Sequence, residues 1–243
     1  MNNRIIVKNI GKKFRIGFVK QKGFLSRILG FFSGKESRRI FWPLKDVSFN
    51  VKGGEILGIV GDNGMGKSTL LRIISRIYQP DRGKVLTNGK IISLINLNIG
   101  MQERLTMRDN IYLVGSLFGM NKRFIDKNLN SIADFADLEE FVNTKLYQFS
   151  NGMLQRLAFS IAIHSNPKIL LLDEVFAVGD EDFRKKSVRK IQELVKKDAS
   201  VILVSHELWM IEKYCDRVIW IKGGKVYSEG MVNEVLEKYR NDK

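Results

Sequence analysis

The run GDNGMGKST, from Gly61 to Thr69, brings three glycines, a lysine and two hydroxyls into nine residues. It fits the phosphate-binding pattern G-x-x-x-x-G-K-[S/T] at Gly61, Gly66, Lys67 and Ser68. Glycines let the backbone amides of Asp62, Asn63, Gly64 and Met65 close around phosphate oxygens, and a helix beginning at the lysine would aim its positive end at the same charge. Lys67 is expected to reach the β- and γ-phosphates, Ser68 to ligate Mg²⁺ through its hydroxyl, and Thr69 to add a phosphate contact. The chemistry implied is the binding of Mg·ATP. A second chemical group, KILLLDE, is an apolar run ending in Asp173 and Glu174. Asp173 is expected to support the Mg²⁺ through its water shell, and Glu174 to polarise the attacking water as general base.

Both groups need a sheet to hold them. EILGIVG (55–61) reads as a buried strand feeding the loop, with a helix at 68–78 stopped by Pro80. KILLLDE (168–174) and SVILVSH (200–206) read as further buried strands whose carboxyl ends carry polar residues, the edge at which such sheets bind ligands. RIIVKNIGKKF (4–14) and DVSFNV (46–51) read as earlier strands, and 83–95 as a hairpin about Asn88-Gly89. Residues 106–147 carry a helical pattern, an inserted layer. Helices are expected at 151–164, 181–197 and up to Tyr214, followed by a hairpin at 216–230 turning at Gly223-Gly224, and a short closing helix.

At 243 residues one principal α/β domain is the expectation. The single cysteine, Cys215, allows no internal disulfide and suits a reducing, cytosol-facing setting. No apolar run approaches a membrane span, and the first residues lack a signal-peptide pattern, so a membrane role requires another chain. The formal charge is +15, but twelve of the 41 Lys and Arg fall in residues 1–45, where Glu36 is the one acid. The cationic character is therefore concentrated near the start of the chain.

QFSNGMLQRLAFSIAIHSNPKILLLDE resembles the signature helix and carboxylate strand of the ABC-transporter ATPases. The order of loop, signature, carboxylates and late histidine matches that family from about residue 4 to 230. The resemblance implies an α/β fold of the P-loop NTPase kind. Its RecA-like core would carry an antiparallel β subdomain and a helical subdomain inserted at about 105–150, all in one nucleotide-binding domain over 1–243 with a C-terminal helix at 231–243. The signature then falls on Phe149, Ser150, Asn151, Gly152 and Met153, with Asn151 in place of a glycine and Met153 in place of a glutamine. Ser150, Asn151 and Gly152 would face the γ-phosphate held on a partner subunit's loop.

By the same resemblance Gln102 senses Mg²⁺ and the nucleophilic water, His206 contacts the γ-phosphate, and Asp180 lies on a loop that crosses the dimer interface. Phe14 falls where an aromatic ring stacks under adenine, or else is a core phenylalanine. His164 is assigned to packing. The implied assembly is a homodimer of ATPase subunits, two ATPs sandwiched head to tail, beneath a separate integral-membrane permease at the cytoplasmic membrane surface.

FSNGMLQRLAFSIAIH, DEVFAVGDEDFRKK and WPLKDVSFNV look most like the ATPase subunits of bacterial polysaccharide exporters, for capsule, O-antigen or teichoic acid, in their short form. A basic insert at 15–40 has Phe24, Leu25, Ile28, Leu29, Phe31 and Phe32 at helical spacing, with Lys20, Lys22 and Arg27 supplying charge. It suits an anionic membrane interface or the permease edge, or packs on the ATPase itself. Two other readings stand beside this one: an ABC ATPase for a lipid, drug or peptide cargo, and a soluble one acting on nucleic acid. The latter would require a second ATPase unit or a long coiled coil, so no nucleic acid is expected.

Overall fold

Two long strands, β1 (Asn3–Ile16) and β2 (Arg39–Lys52), run antiparallel because alternating apolar residues give them a shared face. Ile5, Val7 and Ile10 of one meet the same core as Leu44, Val47, Phe49 and Val51 of the other. The computed structural model describes residues 3–16, 39–95, 100–173 and 180–242. Arg15 pairs with Ile40 and Ile16 with Arg39, so both ends assigned to the insert continue the β1–β2 ladder. The apolar and basic residues read there as amphipathic, at 17–38, lie outside the described residues.

The chain next forms β3 (Ile56–Val60), buried throughout, and α1 (Lys67–Ile74). This helix is shorter than the 68–78 expected. Arg76 takes a left-handed φ of 64°, and the amides of Ile77 and Tyr78 fold back to the Arg72 carbonyl, which closes the helix end. The expected hairpin about Asn88-Gly89 is not one. Residues 82–87 form β4 (Arg82–Thr87), antiparallel to β1, whereas β5 (Ile91–Leu94) pairs in parallel with β6 (Ile169–Asp173) at the far edge of the sheet. Ile92 and Leu94 pack with Leu170 and Leu172 in one cluster. The Lys90 carbonyl accepts from the amides of Lys168 and Ile169, so the pull of that core overrides the local turn preference.

The remaining strands are β7 (Ser200–Val204), β8 (Arg217–Lys222) and β9 (Lys225–Gly230), the last two being the expected terminal hairpin. The sheet order is β4-β1-β2-β9-β8-β3-β7-β6-β5. Strands β8, β3, β7, β6 and β5 are mutually parallel, and their apolar runs are covered on both faces. An antiparallel wing of β4, β1 and β2 joins them through β9.

The helical layer consists of α2 (Met107–Leu117), α3 (Lys122–Phe135) and α4 (Asn151–His164). Each start is capped: Thr106 and Asp109 form a reciprocal capping box, Asn121 accepts from Phe124, and Ser150 accepts from Met153. Met107, Ile111, Val114, Ile125, Leu129, Ile132, Leu157 and Ile161 close a separate apolar cluster within this layer. After it come α5 (Glu181–Lys196), α6 (Leu208–Tyr214) and α7 (Val232–Asn241). Among the described residues no helix is long and apolar enough to cross a membrane. Burial, with Asp216 alongside, pushes the Cys215 thiol up to about 12, so it stays protonated and unreactive at neutral pH.

Candidate nucleotide-binding site

The parallel strands deliver the candidate residues to one edge of the sheet. Ile59 of β3 and Asp173 of β6 both align with Val204 of β7, the strand between them. Asp173 therefore lies two strands from Ile59, about 10 Å across the sheet. The loop of Gly61–Gly66 departs just beyond Ile59, and exposed His206 follows Val204 by two residues, between the loop and Asp173. The chain leaving β5, beside β6, leads to Gln102. Glu174, next to Asp173, lies outside the described residues.

Two glycines of the loop are dictated by its path. A side chain at Gly61 would meet the Ile221 carbonyl at 2.4 Å, and one at Gly66, whose φ is 91°, would meet the Pro43 carbonyl at 2.7 Å. The loop is thus wedged between β8 and β2, and Gly66 turns it into α1. Among the described residues no side chain caps that helix start, and no acid occupies its first turn, so its positive dipole end is directed at the loop. Lys67 is only 6% exposed, and its Nζ donates to the carbonyls of Gly61 at 2.6 Å and Asp62 at 3.0 Å. Ser68 and Thr69 are half-buried on the first turn, while Asp62, Asn63 and Gly64 are exposed and Met65 packs toward the core. A lysine and a helix N-terminus therefore meet at one loop, an arrangement suited to a phosphate group.

The signature residues occupy the start of α4 on the helical layer. Ser150 is its cap, with Met153 N donating to Oγ at 3.3 Å, and Phe149 is buried edge-on against Phe141. Gly152 is a costly choice in a helix, about 1 kcal/mol against alanine. Yet among the described residues a side chain there would meet nothing nearer than Ser150 Oγ at 3.9 Å, so none of them demands the glycine. Asn151 is exposed beside it. Phe14 is half-buried, its ring edge-on to Tyr78 at 5.9 Å beyond the end of α1, with Lys12 over it. His164 is half-buried, its Nδ1 donating to the Ser160 carbonyl at 2.8 Å, and the desolvation lowers its pKa.

Asp180 caps α5, accepting from Phe183 N at 2.9 Å. That amide, with the Arg156 guanidinium 2.6 Å from its other oxygen, holds its carboxyl below the usual carboxylate range. Arg156 was not singled out from the sequence. It rises from α4, reaches Asp137 as well as Asp180, and lies over the Phe183 ring, so the signature helix and the Asp180 turn are tied together. Its signal is faint, since a basic residue on an exposed helix face is ordinary.

Asn110 was also missed, although its signal is legible. Met107, Asn110, Ile111 and Val114 form one apolar stripe of α2, and an amide on such a stripe has to be satisfied. Asn110 is fully buried. Its Oδ1 accepts from Gln102 N at 2.7 Å, and its Nδ2 donates to the carbonyls of Gln102 at 3.0 Å and Thr106 at 2.9 Å. The Gln102 backbone is fixed at both its polar groups while its side chain remains exposed. Asn110→Ala is expected to lower unfolding free energy by about 1–3 kcal/mol and to slow ATP turnover; a urea titration matching the wild type would remove this role.

Residues 44–177 match the ABC transporter family. The teichoic acids export ATP-binding protein TagH of Listeria innocua is 38% identical over 239 residues, covering 98% of this chain and 70% of that protein. The O-antigen export system ATP-binding protein RfbB of Klebsiella pneumoniae is 36% identical over 202 residues, 83% of this chain and 82% of its own. Among solved structures, the ATP-binding cassette MJ0796, dimeric in a post-hydrolysis state with ADP and Pi, matches with a TM-score of 0.75. It is 25% identical and covers 94% of this chain and 98% of that one. The matched stretch takes in the phosphate loop, the helical layer and β6 alike, and this chain belongs to the ABC transporter family, as one of its ATP hydrolases.

Proposed function

We propose that this chain is the ATP-hydrolysing subunit of an exporter that moves a polysaccharide, in lipid-linked form, through a separate integral-membrane permease. The cargo reading is carried by the likeness to teichoic acid and O-antigen export subunits over 83–98% of the chain. In this reading two copies work together, as the cassette that the fold resembles is dimeric, and they do so on the inner face of the membrane.

The Lys67 ammonium exchanges the Gly61 and Asp62 carbonyls for β- and γ-phosphate oxygens when nucleotide enters, and the positive end of α1 takes the remaining charge. Mg²⁺ fits the oxygen donors of Ser68 and Asp173, with Gln102 arriving from the loop after β5; bound there, it would neutralise charge on the phosphates. Glu174 accepts the proton of the attacking water, and His206 steadies the γ-phosphate. Ser150, Asn151 and Gly152 of the second copy approach the same phosphate, and Gly152, uncrowded by the described residues, leaves room for it. Asp180 lines the interface between the copies, held by Arg156, and Phe14 supports the adenine.

Closure around two ATPs and reopening after hydrolysis then bias the permease between its two accesses. In cells lacking this chain, the polymer is expected to remain inside. Surface polysaccharide should return with the wild-type gene and not with a hydrolysis-deficient copy. Normal surface polysaccharide in the deletion strain, with a lipid or drug retained instead, would overturn the cargo reading.

A further inference from the structure

The phosphate loop contains an acid, Asp62, which is an awkward neighbour for a triphosphate. A carboxylate turned inward would repel the γ-phosphate at close range, and nothing in the loop pattern itself requires an acid at this position. In the structure this carboxylate is engaged from the opposite side. Tyr239, on α7 near the C-terminus, donates its hydroxyl to Asp62 Oδ1 at 3.3 Å across 177 residues of sequence. The Lys222 ammonium, at the end of β8, also feels the Asp62 charge.

The donor is built in rather than incidental. Tyr239 is buried, its ring edge-on to Trp220 at 5.4 Å, and Val235 and Leu236 seat the same helix in the core. Lys222 grips Asp242 at 2.6 Å, and Arg240 pairs with Glu212 on α6, so both sides of the helix end are pinned. A phenol on so fixed a helix loses little further entropy in holding a loop carboxylate.

We propose that Tyr239 is a positioning residue for nucleotide binding: its hydroxyl keeps the Asp62 carboxylate turned away from the phosphates, so that α7 sets the electrostatics of the loop. This rests on the ATP-binding role of Gly61–Thr69. Without the hydroxyl, the carboxylate swings toward the bound triphosphate and weakens it.

The test is a double-mutant cycle on Mg·ATP affinity, read by calorimetry, with unfolding midpoints measured in parallel. Tyr239→Phe keeps the ring and its packing, and is expected to weaken binding roughly 3- to 10-fold at low salt, less at high salt, with turnover at saturating ATP little changed. In an Asp62→Asn background, where no charge remains to be held, the same Tyr239→Phe change is expected to leave the affinity where Asp62→Asn alone sets it. A loss that persists in that background, or tracks a lowered unfolding midpoint, would make the tyrosine merely structural and overturn the proposal. So would unaltered affinity in Tyr239→Phe. If the unmodified protein itself bound no nucleotide, the fault would lie with the phosphate-loop reading and not with Tyr239.

Discussion

Lys67→Ala is expected to abolish measurable ATP binding while leaving the fold in place. Lys67 is 6% exposed, its ammonium supported by two loop carbonyls, and in the proposed site it meets the phosphates of the nucleotide. Truncating a buried, hydrogen-bonded charge that meets an opposite charge costs about 2–5 kcal/mol, or some thirty- to several-thousand-fold in affinity. The free protein loses less. The carbonyls of Gly61 and Asp62 forfeit a donor, for a cost of about 1–3 kcal/mol, partly recovered because Asp62 is exposed and water can reach it. Calorimetry with Mg·ATP and a thermal melt separate the two effects. Binding within threefold of the wild type would mean that phosphate is gripped elsewhere. Lys67→Arg is not expected to rescue, because a planar guanidinium cannot replace a compact ammonium between two carbonyls in so tight a space.

The loop and the strands around it were legible because their physics is local. A strand buried on both faces has to be apolar throughout, as ILGIV and ILLLD are, and a tight phosphate turn has to use glycine. Helix starts were equally open to reading, since Thr106, Asn121, Ser150 and Asp180 each carry a capping side chain. What failed was decided at a distance. Asn88-Gly89 has the composition of a tight hairpin, yet β4 and β5 end at opposite edges of the sheet because β6 offers β5 a better-buried partner. The outer ends of β1 and β2 resembled an insert because their charges, Arg15 and Arg39, carry no strand pattern, although pairing continues through them.

The site divides along the same line. Gly61 to Thr69 and Asp173 announce themselves by type and spacing, whereas the residues that hold them do so through tertiary contacts. Asn110 reaches Gln102 from a helix, Arg156 reaches Asp180 from another, and Tyr239 reaches Asp62 from the far end of the chain. Only Asn110 leaves a mark in the sequence, as an amide on an apolar stripe.

Glu174→Gln is expected to slow hydrolysis by a hundredfold or more, in line with the roughly 10²–10⁴ contributed by a general base, while ATP stays bound. The β6–β7 register fixes Asp173 at the carboxyl edge of the sheet; Glu174, the next residue in sequence, is the general base for the attacking water in the proposed mechanism. A glutamine keeps the shape and can still hydrogen-bond that water, but it cannot take the proton. In the proposed role it also removes one negative charge from the neighbourhood of the γ-phosphate, which favours the ATP-loaded state. The variant should therefore form a stable dimer with Mg·ATP and fall back to monomer with ADP, as followed by size-exclusion chromatography alongside phosphate release. An Asp173→Asn variant serves as the contrast, because an acid that acts through the metal should raise the Mg²⁺ requirement as well as slow turnover. Near-normal phosphate release from Glu174→Gln would move the base to another group at this edge. Loss of ATP binding in the same variant would instead mean that the carboxylate belongs to the binding of the nucleotide rather than to its hydrolysis.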